Sequence, residues 1–432
     1  TALNGGDQNV IVGHLAGDAL TSGEDNTFIG QAAGGATQSG SSIVVVGRNA
    51  GLGAMDTDAN GTVIVGAGAG AAITSGGGNI AIGFEAGKVT TTGTNNIFIG
   101  NQAADAVHVN SSSCVAIGRN SMGGGHTGSE SHYNTAVGDK TMAAQMNGAT
   151  SNTALGKNSL AALTEGDYNV AVGMDAANAI SVDSGNTLVG YQAGMDANHS
   201  QSTAFGYQAG KANTATGGLA IGYQAGLAST GSGNTSVGYK ALTACTDGKY
   251  NTAIGTQAIA SQMDVGDSNT AVGYQSLYEL NPDTNDHGSN TAVGKQSGYD
   301  VTTGTGNTLV GSNAGNSASG DLTTGDNNTY IGNEANGSGS GATNQTVIGA
   351  TAIGIDDNTV TLGNAAVTKV YAAHDRGATV YAGGLVINSA TGYGDATIWG
   401  VNRALGQSGW SGSDTDQAQL SLVSTTHYTT AN

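Results

Sequence analysis

The hydrophobic residues of this chain recur at a nearly fixed spacing, each beside a glycine. A Val, Ile or Leu, and once Phe205, precedes the glycine, and an Ala, Ser or Thr lies three residues after it. The glycines of these units are at positions 13, 30, 47, 66, 83, 100, 118, 138, 156, 173, 190, 206, 222, 238, 255, 273, 294, 311, 332, 349 and 363. The twenty-one units are mostly 16 to 18 residues long, and the longest have 21. So regular a period predicts one continuous stacked body rather than several domains.

Each unit has the pattern of a short β-strand entered from a turn. Asn stands four residues before the glycine in fourteen units, and the consensus is N-T-x-[VI]-G-x-x-A. Alternating β-branched residues favour a strand, whereas Asn and Gly at its borders favour turns. No apolar period of 3.6 residues continues along the chain. The pattern therefore predicts an all-β fold, a parallel β-solenoid or β-roll of about 21 coils with 16–21 residues each.

Both faces of the predicted strand are apolar. We expect the residue before the glycine to lie inside the coil, together with the Thr that starts the strand. This prediction assigns to the core Val12, Ile29, Ile82, Val189, Phe205, Ile221, Ile254 and Val272. The residue two before the glycine, such as Phe28 or Ala171, then faces outward against another chain. A narrow coil buries too little surface alone, so we expect three chains around one axis.

The amino-acid composition leaves the predicted fold unchanged and excludes some classes of partner. The 74 glycines and a net charge of −19 would favour disorder in a chain without a period. The 12 basic residues form no cluster, so nucleic acid and anionic membranes are poor partners. No apolar run is long enough to span a bilayer, and we expect no membrane insertion.

The repeat resembles two known families. The unit N-[ST]-x-[VI]-G-x-x-[AS] is similar to repeats in the heads of trimeric autotransporter adhesins, and "NTAVGYQSL" and "NTAIGTQAI" resemble repeats of bacteriophage tail fibres. The resemblance covers roughly residues 9 to 370 and implies a left-handed, homotrimeric rod. These 432 residues depart from the adhesin pattern in that we expect among them neither a heptad stalk nor membrane-anchor strands.

The resemblance implies a non-enzymatic structural protein. We expect a homotrimeric tail fibre of a virion, extracellular in its action, that attaches to a host surface. Its expected partners are itself, other virion proteins and a host cell-surface glycan or protein. The alternatives are a cellular adhesin or extracellular filament, a glycan-hydrolysing tail spike, and an ice-binding solenoid.

Two groups of aromatic residues are candidates for receptor contact. Four tyrosines follow the glycine in successive units and would stack one strand spacing apart, either to stabilise the coil or to bind a glycan: Tyr191, Tyr207, Tyr223 and Tyr239. The second group belongs to the segment 368–432, which loses the repeat of residues 1–367 and contains Tyr393, Trp399 and Trp410. We expect that segment to be a small β-rich cap that binds the receptor.

The sequence contains no convincing catalytic, cofactor or metal constellation. Acidic residues before the strands could hold calcium, but turn formation explains them better: Asp25, Asp167, Asp267 and Asp326. His126, Glu130, His132 and Asp139 form one local cluster, which is explained more simply as an exposed loop. The prediction is therefore no catalytic residue, no cofactor and no metal.

Overall fold

The computed structural model describes residues 6–370, apart from 126–127, 197–199, 215, 264, 283–287 and 317–319. The chain divides into two units, Thr1–Thr368 and Lys369–Asn432. The described part is an all-β parallel solenoid, which confirms the predicted fold class. It contains no α-helix, and its one helical turn is a 3-10 turn at Thr57–Ala59.

Twenty-one strands form one parallel sheet, with one strand from each coil. They are β1 (Val10–Val12), β2 (Thr27–Ile29), β3 (Val44–Val46), β4 (Val63–Val65), β5 (Ile80–Ile82), β6 (Ile97–Ile99), β7 (Val115–Ile117), β8 (Thr135–Val137), β9 (Thr153–Leu155), β10 (Val170–Val172), β11 (Thr187–Val189), β12 (Thr203–Phe205), β13 (Leu219–Ile221), β14 (Thr235–Val237), β16 (Thr252–Ile254), β18 (Thr270–Val272), β19 (Thr291–Val293), β20 (Thr308–Val310), β21 (Thr329–Ile331), β22 (Thr346–Ile348) and β23 (Val360–Leu362). The short strands β15 (Ala244–Cys245) and β17 (Gln262–Met263) form a separate parallel pair.

Each strand pairs in the same register with the strand of the next coil. Ala253 is opposite Ala271, for example, and Ile254 is opposite Val272. Backbone hydrogen bonds between coils continue beyond the strands: the amide of Gln257 donates to the carbonyl of Tyr239 at 2.8 Å. Equivalent residues are therefore stacked along the solenoid in columns about one strand spacing apart.

The glycine after each strand is required by two features of the coil. Gly156 has a φ of +135°, and a Cβ placed on it would lie 2.5 Å from the carbonyl oxygen of Gly173 in the next coil. A side chain here would meet both an unfavourable backbone conformation and the backbone of its neighbour. The column of glycines thus lets successive coils approach closely where the chain turns out of the sheet.

The middle residue is buried inside the coil in every strand of the main sheet except the end strands β1 and β23, which corrects the predicted core. Phe28, Ala253 and Leu188 are at most 1% exposed. The residue before the glycine lies outside: Val12 is 58% exposed and Phe205 is 52% exposed. Of the other predicted core residues, Ile29, Ile82, Ile221 and Ile254 are exposed, and Val189 and Val272 are half-buried. The Thr that starts most strands shares this outer face.

The narrow interior explains this reversal. The middle strand residue packs inside the coil beside the fourth residue after the glycine. In many coils, one of these two side chains is large and the other is small. In some coils the strand residue, named first, is small and the residue after the glycine is large: Ala116/Met122, Ala136/Met142, Ala154/Leu160, Ala253/Ile259 and Ala271/Leu277. In others the strand residue is large and its partner is glycine: Phe28/Gly34, Val45/Gly51, Ile64/Gly70, Leu188/Gly194 and Leu309/Gly315. A Cβ on Gly194 would lie 2.7 Å from Cδ1 of Leu188. These two positions together have room for only one large side chain in each of these coils, so the larger aliphatic column lies outside.

The asparagine that precedes most strands is buried and links the coils. The side-chain oxygen of Asn152 accepts hydrogen bonds from the backbone amide of Asn169 at 2.9 Å and from its side-chain amide at 3.0 Å. Its own Nδ2 donates to the carbonyl of Gly166 at 2.8 Å. This arrangement satisfies polar groups that the return turn would otherwise bury without partners.

Candidate functional site

The outer side of the 21-stranded sheet is a candidate interaction surface, and we call it the sheet face. It consists of the first and last residues of the strands in the main sheet. The last residue is aliphatic in every strand except β12, where it is Phe205, and the first is Thr in twelve strands and Val, Ile or Leu in nine. None of these strands contains a charged residue, whereas charged side chains such as Arg48, Arg119 and Asp139 follow the glycine at the coil corner.

The sheet face changes in character along the chain. From β3 to β7 both outward residues are aliphatic, namely Val44 and Val46, Val63 and Val65, Ile80 and Ile82, Ile97 and Ile99, and Val115 and Ile117. From β14 to β22 the main-sheet strands instead begin with Thr and end with Val or Ile. The first stretch is therefore more apolar, and the second presents a column of threonines beside a column of aliphatic residues.

A second surface lies at the coil corner beside the sheet face. Tyr191, Tyr207, Tyr223 and Tyr239 stack in successive coils with ring centroids 5.1, 5.0 and 5.2 Å apart and interplanar angles of 19°, 5° and 12°. We call these four residues the tyrosine ladder. The rings are 37–48% exposed, and Nζ of Lys240 lies 5.6 Å from the ring centroid of Tyr239.

A row of amides runs beside the tyrosine ladder. Nε2 of Gln208 donates to Oε1 of Gln192, and Nε2 of Gln224 donates to Oε1 of Gln208, both at 2.8 Å. Each of these bonds occupies one N–H group and one lone pair, and an amide has two of each. Tyr207 and Tyr223 likewise have both ring faces occupied by neighbouring rings, whereas Tyr191 and Tyr239 each stack on one. The surface therefore offers ring edges, phenol hydroxyls and amide groups to a partner.

The other predicted contact residues belong to the segment 368–432. Tyr393, Trp399 and Trp410 lie outside the described residues.

The acidic turn residues bond to the preceding coil. Oδ1 of Asp167 accepts from the backbone amide of Thr150 at 2.7 Å, and Oδ1 of Asp326 accepts from that of Thr305 at 2.8 Å. Asp267 bonds in the same way to Lys249 at 2.7 Å. In the part of the chain that the structure describes, no group of three or more His, Cys, Asp or Glu residues is arranged to hold a metal ion.

The local histidine cluster is divided between two contacts. His132 contacts Glu130 at 2.9 Å, whereas Asp139 forms an ion pair with Arg119 at 2.9 Å. Because these contacts are separate, they do not converge on one site. His126 lies outside the described residues.

Both cysteines are buried free thiols. Burial raises the pKa of Cys114 to about 11 and the pKa of Cys245 to about 12. Their sulfurs donate to the carbonyls of Ser131 at 3.2 Å and Gly248 at 3.3 Å. A thiol held protonated and away from solvent is a packing element rather than a nucleophile.

Neither the known protein families nor the curated proteins contain a match to this chain. Among the residues described above, no helix is long and apolar enough to cross a membrane. The functional interpretation therefore depends on the two surfaces themselves.

Proposed function

We propose that this chain is the homotrimeric rod of an attachment fibre, a non-enzymatic structural protein of a phage-like particle. The sheet face is the observation that supports this proposal most strongly. It presents an aliphatic or aromatic side chain to solvent in every coil and carries no charge along its length. Continuous apolar surface of this extent is unfavourable in water and is typical of surfaces that other chains cover.

The size of the sheet face suits association between copies. Twenty-one strands about 4.8 Å apart and a face about 10 Å wide give roughly 1,000 Å² per chain. A stable interface buries about 800 Å² on each partner. Parallel copies in register would place aliphatic columns together along the whole solenoid. In a three-fold arrangement, the two columns of each face would meet different neighbours, so each pairwise contact would take roughly 500 Å² per partner. The whole trimer would then bury roughly 3,000 Å², compared with about 1,600 Å² in total for a stable pairwise complex.

The proposed role in attachment depends on the length and stiffness of such a rod. A solenoid of near-identical coils separates its two ends by a length that grows with each repeat, and three associated chains resist bending better than one. The same geometry would serve a cellular adhesin or an extracellular filament. Genes for tail components beside this one would favour the phage-like particle, and secretion and anchoring genes would favour the adhesin.

Sedimentation equilibrium tests the association. The chain should have three times the monomer mass at micromolar concentration, and the double variant Ile82→Lys, Ile99→Lys should shift toward the monomer because it places charges on the sheet face. The matched control is the double variant Phe84→Lys, Met174→Lys, which adds the same two charges at exposed apolar residues of the coil corner. A wild-type chain that remains monomeric would contradict the homotrimer.

One observation favours a second candidate function, the binding of ice. The Thr column was expected inside the coil, but it lies on the sheet face, where seven successive coils begin with Thr from β14 to β22. A flat, regular array of hydroxyls and methyl groups can order water. This function requires the face to remain uncovered, so a monomeric wild-type chain that alters ice-crystal growth would replace the fibre proposal.

A further inference from the structure

We propose that the tyrosine ladder binds an extended, uncharged polysaccharide that lies parallel to the solenoid axis. This inference builds on the proposed attachment role and gives that role a ligand class and a place. The site is at the coil corner beside the sheet face, so it would stay accessible when the sheet face is covered. It needs no residue of the C-terminal segment.

The tyrosine ladder is exposed to solvent at a position that does not require an aromatic residue. Each ladder tyrosine is 37–48% exposed, whereas Phe28, Phe98 and Tyr330 are fully buried. The same corner position holds Lys157 before the ladder and Thr256 after it, so the coil does not require an aromatic residue there. Exposed tyrosine supplies contact area with a polar group at low entropic cost and is common where proteins bind partners.

The spacing of the ladder indicates the shape of the ligand. The centroids of the rings are 5.0–5.2 Å apart, and similar stacking places the phenol groups at the same interval. Successive sugars in an extended, equatorially linked polysaccharide repeat at about this distance. One tyrosine could therefore meet one sugar in each of four coils. An extended peptide does not match this spacing, because its residues rise by only about 3.3 Å.

The chemistry of the ladder indicates how the ligand binds. The ring faces are covered by neighbouring rings, so a sugar cannot stack on the inner tyrosines. The phenol hydroxyls can both donate and accept, and the glutamine row beside them keeps further donors and acceptors. A ligand rich in hydroxyl groups matches this surface. We therefore expect recognition by a row of hydrogen bonds with apolar contact at the ring edges.

The charge of the molecule narrows the ligand class further. The net charge of −19 repels polyanions, including nucleic acid and acidic polysaccharides. The cations near the ladder are few, and Lys211 lies 3.8 Å from the carboxylate of Asp196. An uncharged polymer avoids this repulsion. Because the four contacts are equal and individually weak, affinity should rise with the length of the oligosaccharide.

The test uses the full chain and four soluble hexasaccharides, with binding measured by isothermal titration calorimetry. Cellohexaose, chitohexaose and xylohexaose are extended, whereas maltohexaose is α-linked and coiled. We expect at least one extended hexasaccharide to bind, its trisaccharide to bind at least 10-fold more weakly, and maltohexaose not to bind.

The decisive variant changes all four ladder tyrosines to phenylalanine. It keeps the stacked rings and removes the hydroxyls, so thermal unfolding should change little while affinity falls at least 10-fold. The matched control is Tyr278→Phe with Tyr299→Phe, a second stacked pair with centroids 5.0 Å apart, and its affinity should be unchanged. Wild-type protein that binds none of the extended hexasaccharides, or a four-fold variant that binds as well as wild type, would show that the ladder is only structural.

Attachment to whole cells separates this inference from the proposed function. Wild-type protein and the four-fold phenylalanine variant are labelled and tested on the same panel of bacterial cells. Equal attachment by both would overturn the ladder as the attachment site and leave the fibre role standing. Failure of wild type to attach to any cell or to form trimers would contradict the fibre role, and the hexasaccharide titration would still decide whether the ladder binds sugar.

Discussion

At the scale of single residues, the direction of a side chain in a three-residue strand decides its role more than its size does. Ala253 is small and fully buried, and the larger Ile254 beside it is 39% exposed. The buried face of such a strand cannot be identified from hydrophobicity alone, since both faces are apolar. Burial in this solenoid follows the space available inside the coil.

Replacing each of these neighbours by aspartate tests the assignment. Ala253→Asp puts an unpaired charge in the interior and should lower the free energy of unfolding by at least about 3 kcal/mol. Ile254→Asp places the same charge on the sheet face and should instead weaken association between chains. Chemical denaturation and sedimentation measure the two effects. If Ile254→Asp unfolded the coil as strongly as Ala253→Asp, the observed assignment of the faces would be wrong.

The two thiols give a prediction that depends on pH. Burial raises the pKa of Cys114 to about 11 and that of Cys245 to about 12, above the ordinary value of 9.0. The folded state therefore holds these protons more tightly than the unfolded state. The resulting contribution to stability is present below about pH 9 and is lost as the pH rises to 11–12. The native protein should react with a thiol reagent at pH 8 only as fast as it unfolds, and rapid labelling there would contradict the burial.

At the scale of one coil, the packing depends on a pair of positions six residues apart. Ala154 packs opposite Leu160, whereas Leu188 packs opposite Gly194. The large side chain can therefore come from either of the two positions. In coils where both residues are small, a neighbouring coil fills the space: a Cβ on Gly87 would lie 2.7 Å from Cδ2 of Phe98. Neighbouring coils thus share their cores, which form three clusters along the solenoid, Leu20–Ile73, Ala81–Ala225 and Ala241–Ala352.

A double-mutant cycle tests whether residues 154 and 160 fill the same space inside the coil. Ala154→Leu alone overpacks the coil, and Leu160→Gly alone leaves a cavity, so each should cost about 2 kcal/mol of unfolding free energy. The double variant reproduces the arrangement of Leu188 and Gly194 and should cost less than either single change. Urea denaturation of the four proteins measures the coupling. Additive losses would show that the two positions do not share the space.

The sequence predicted the 21 strands of the main sheet and their parallel stacking, because the glycine column recurs in every unit and the asparagine column in fourteen of the twenty-one. The repeat pattern did not predict which face of the strand is buried, since that depends on the volume available to two facing side chains inside the coil. The sequence does contain a signal of the buried face: where the middle strand residue is small, as at Ala154, the fourth residue after the glycine is often large, as at Leu160. The stacking of the tyrosine ladder was likewise predictable from the 16-residue spacing of Tyr191, Tyr207 and Tyr223.

At the scale of the whole solenoid, stability should be a sum over coils and the interfaces between them. Each coil hydrogen-bonds to its neighbours through the strand and through the corner, as the amide of Gln224 does to the carbonyl of Tyr207 at 2.9 Å. Equivalent residues of successive coils occupy the same column. A whole coil could therefore be removed without changing the environment of the coils that remain.

Deletion of residues 207–222 tests this property. It joins Gly206 to Tyr223, so the glycine of one unit is followed by the corner residue of the next, and the columns stay in register. The variant should fold, keep the circular dichroism of the wild type and form a solenoid shorter by about 4.8 Å. Deleting only residues 207–214 is the control: it removes half a coil, moves later residues out of their columns and should disrupt the neighbouring coils. If the whole-coil deletion unfolded the protein as completely as the half-coil deletion, the coils would not be interchangeable, and stability would depend on contacts beyond nearest neighbours.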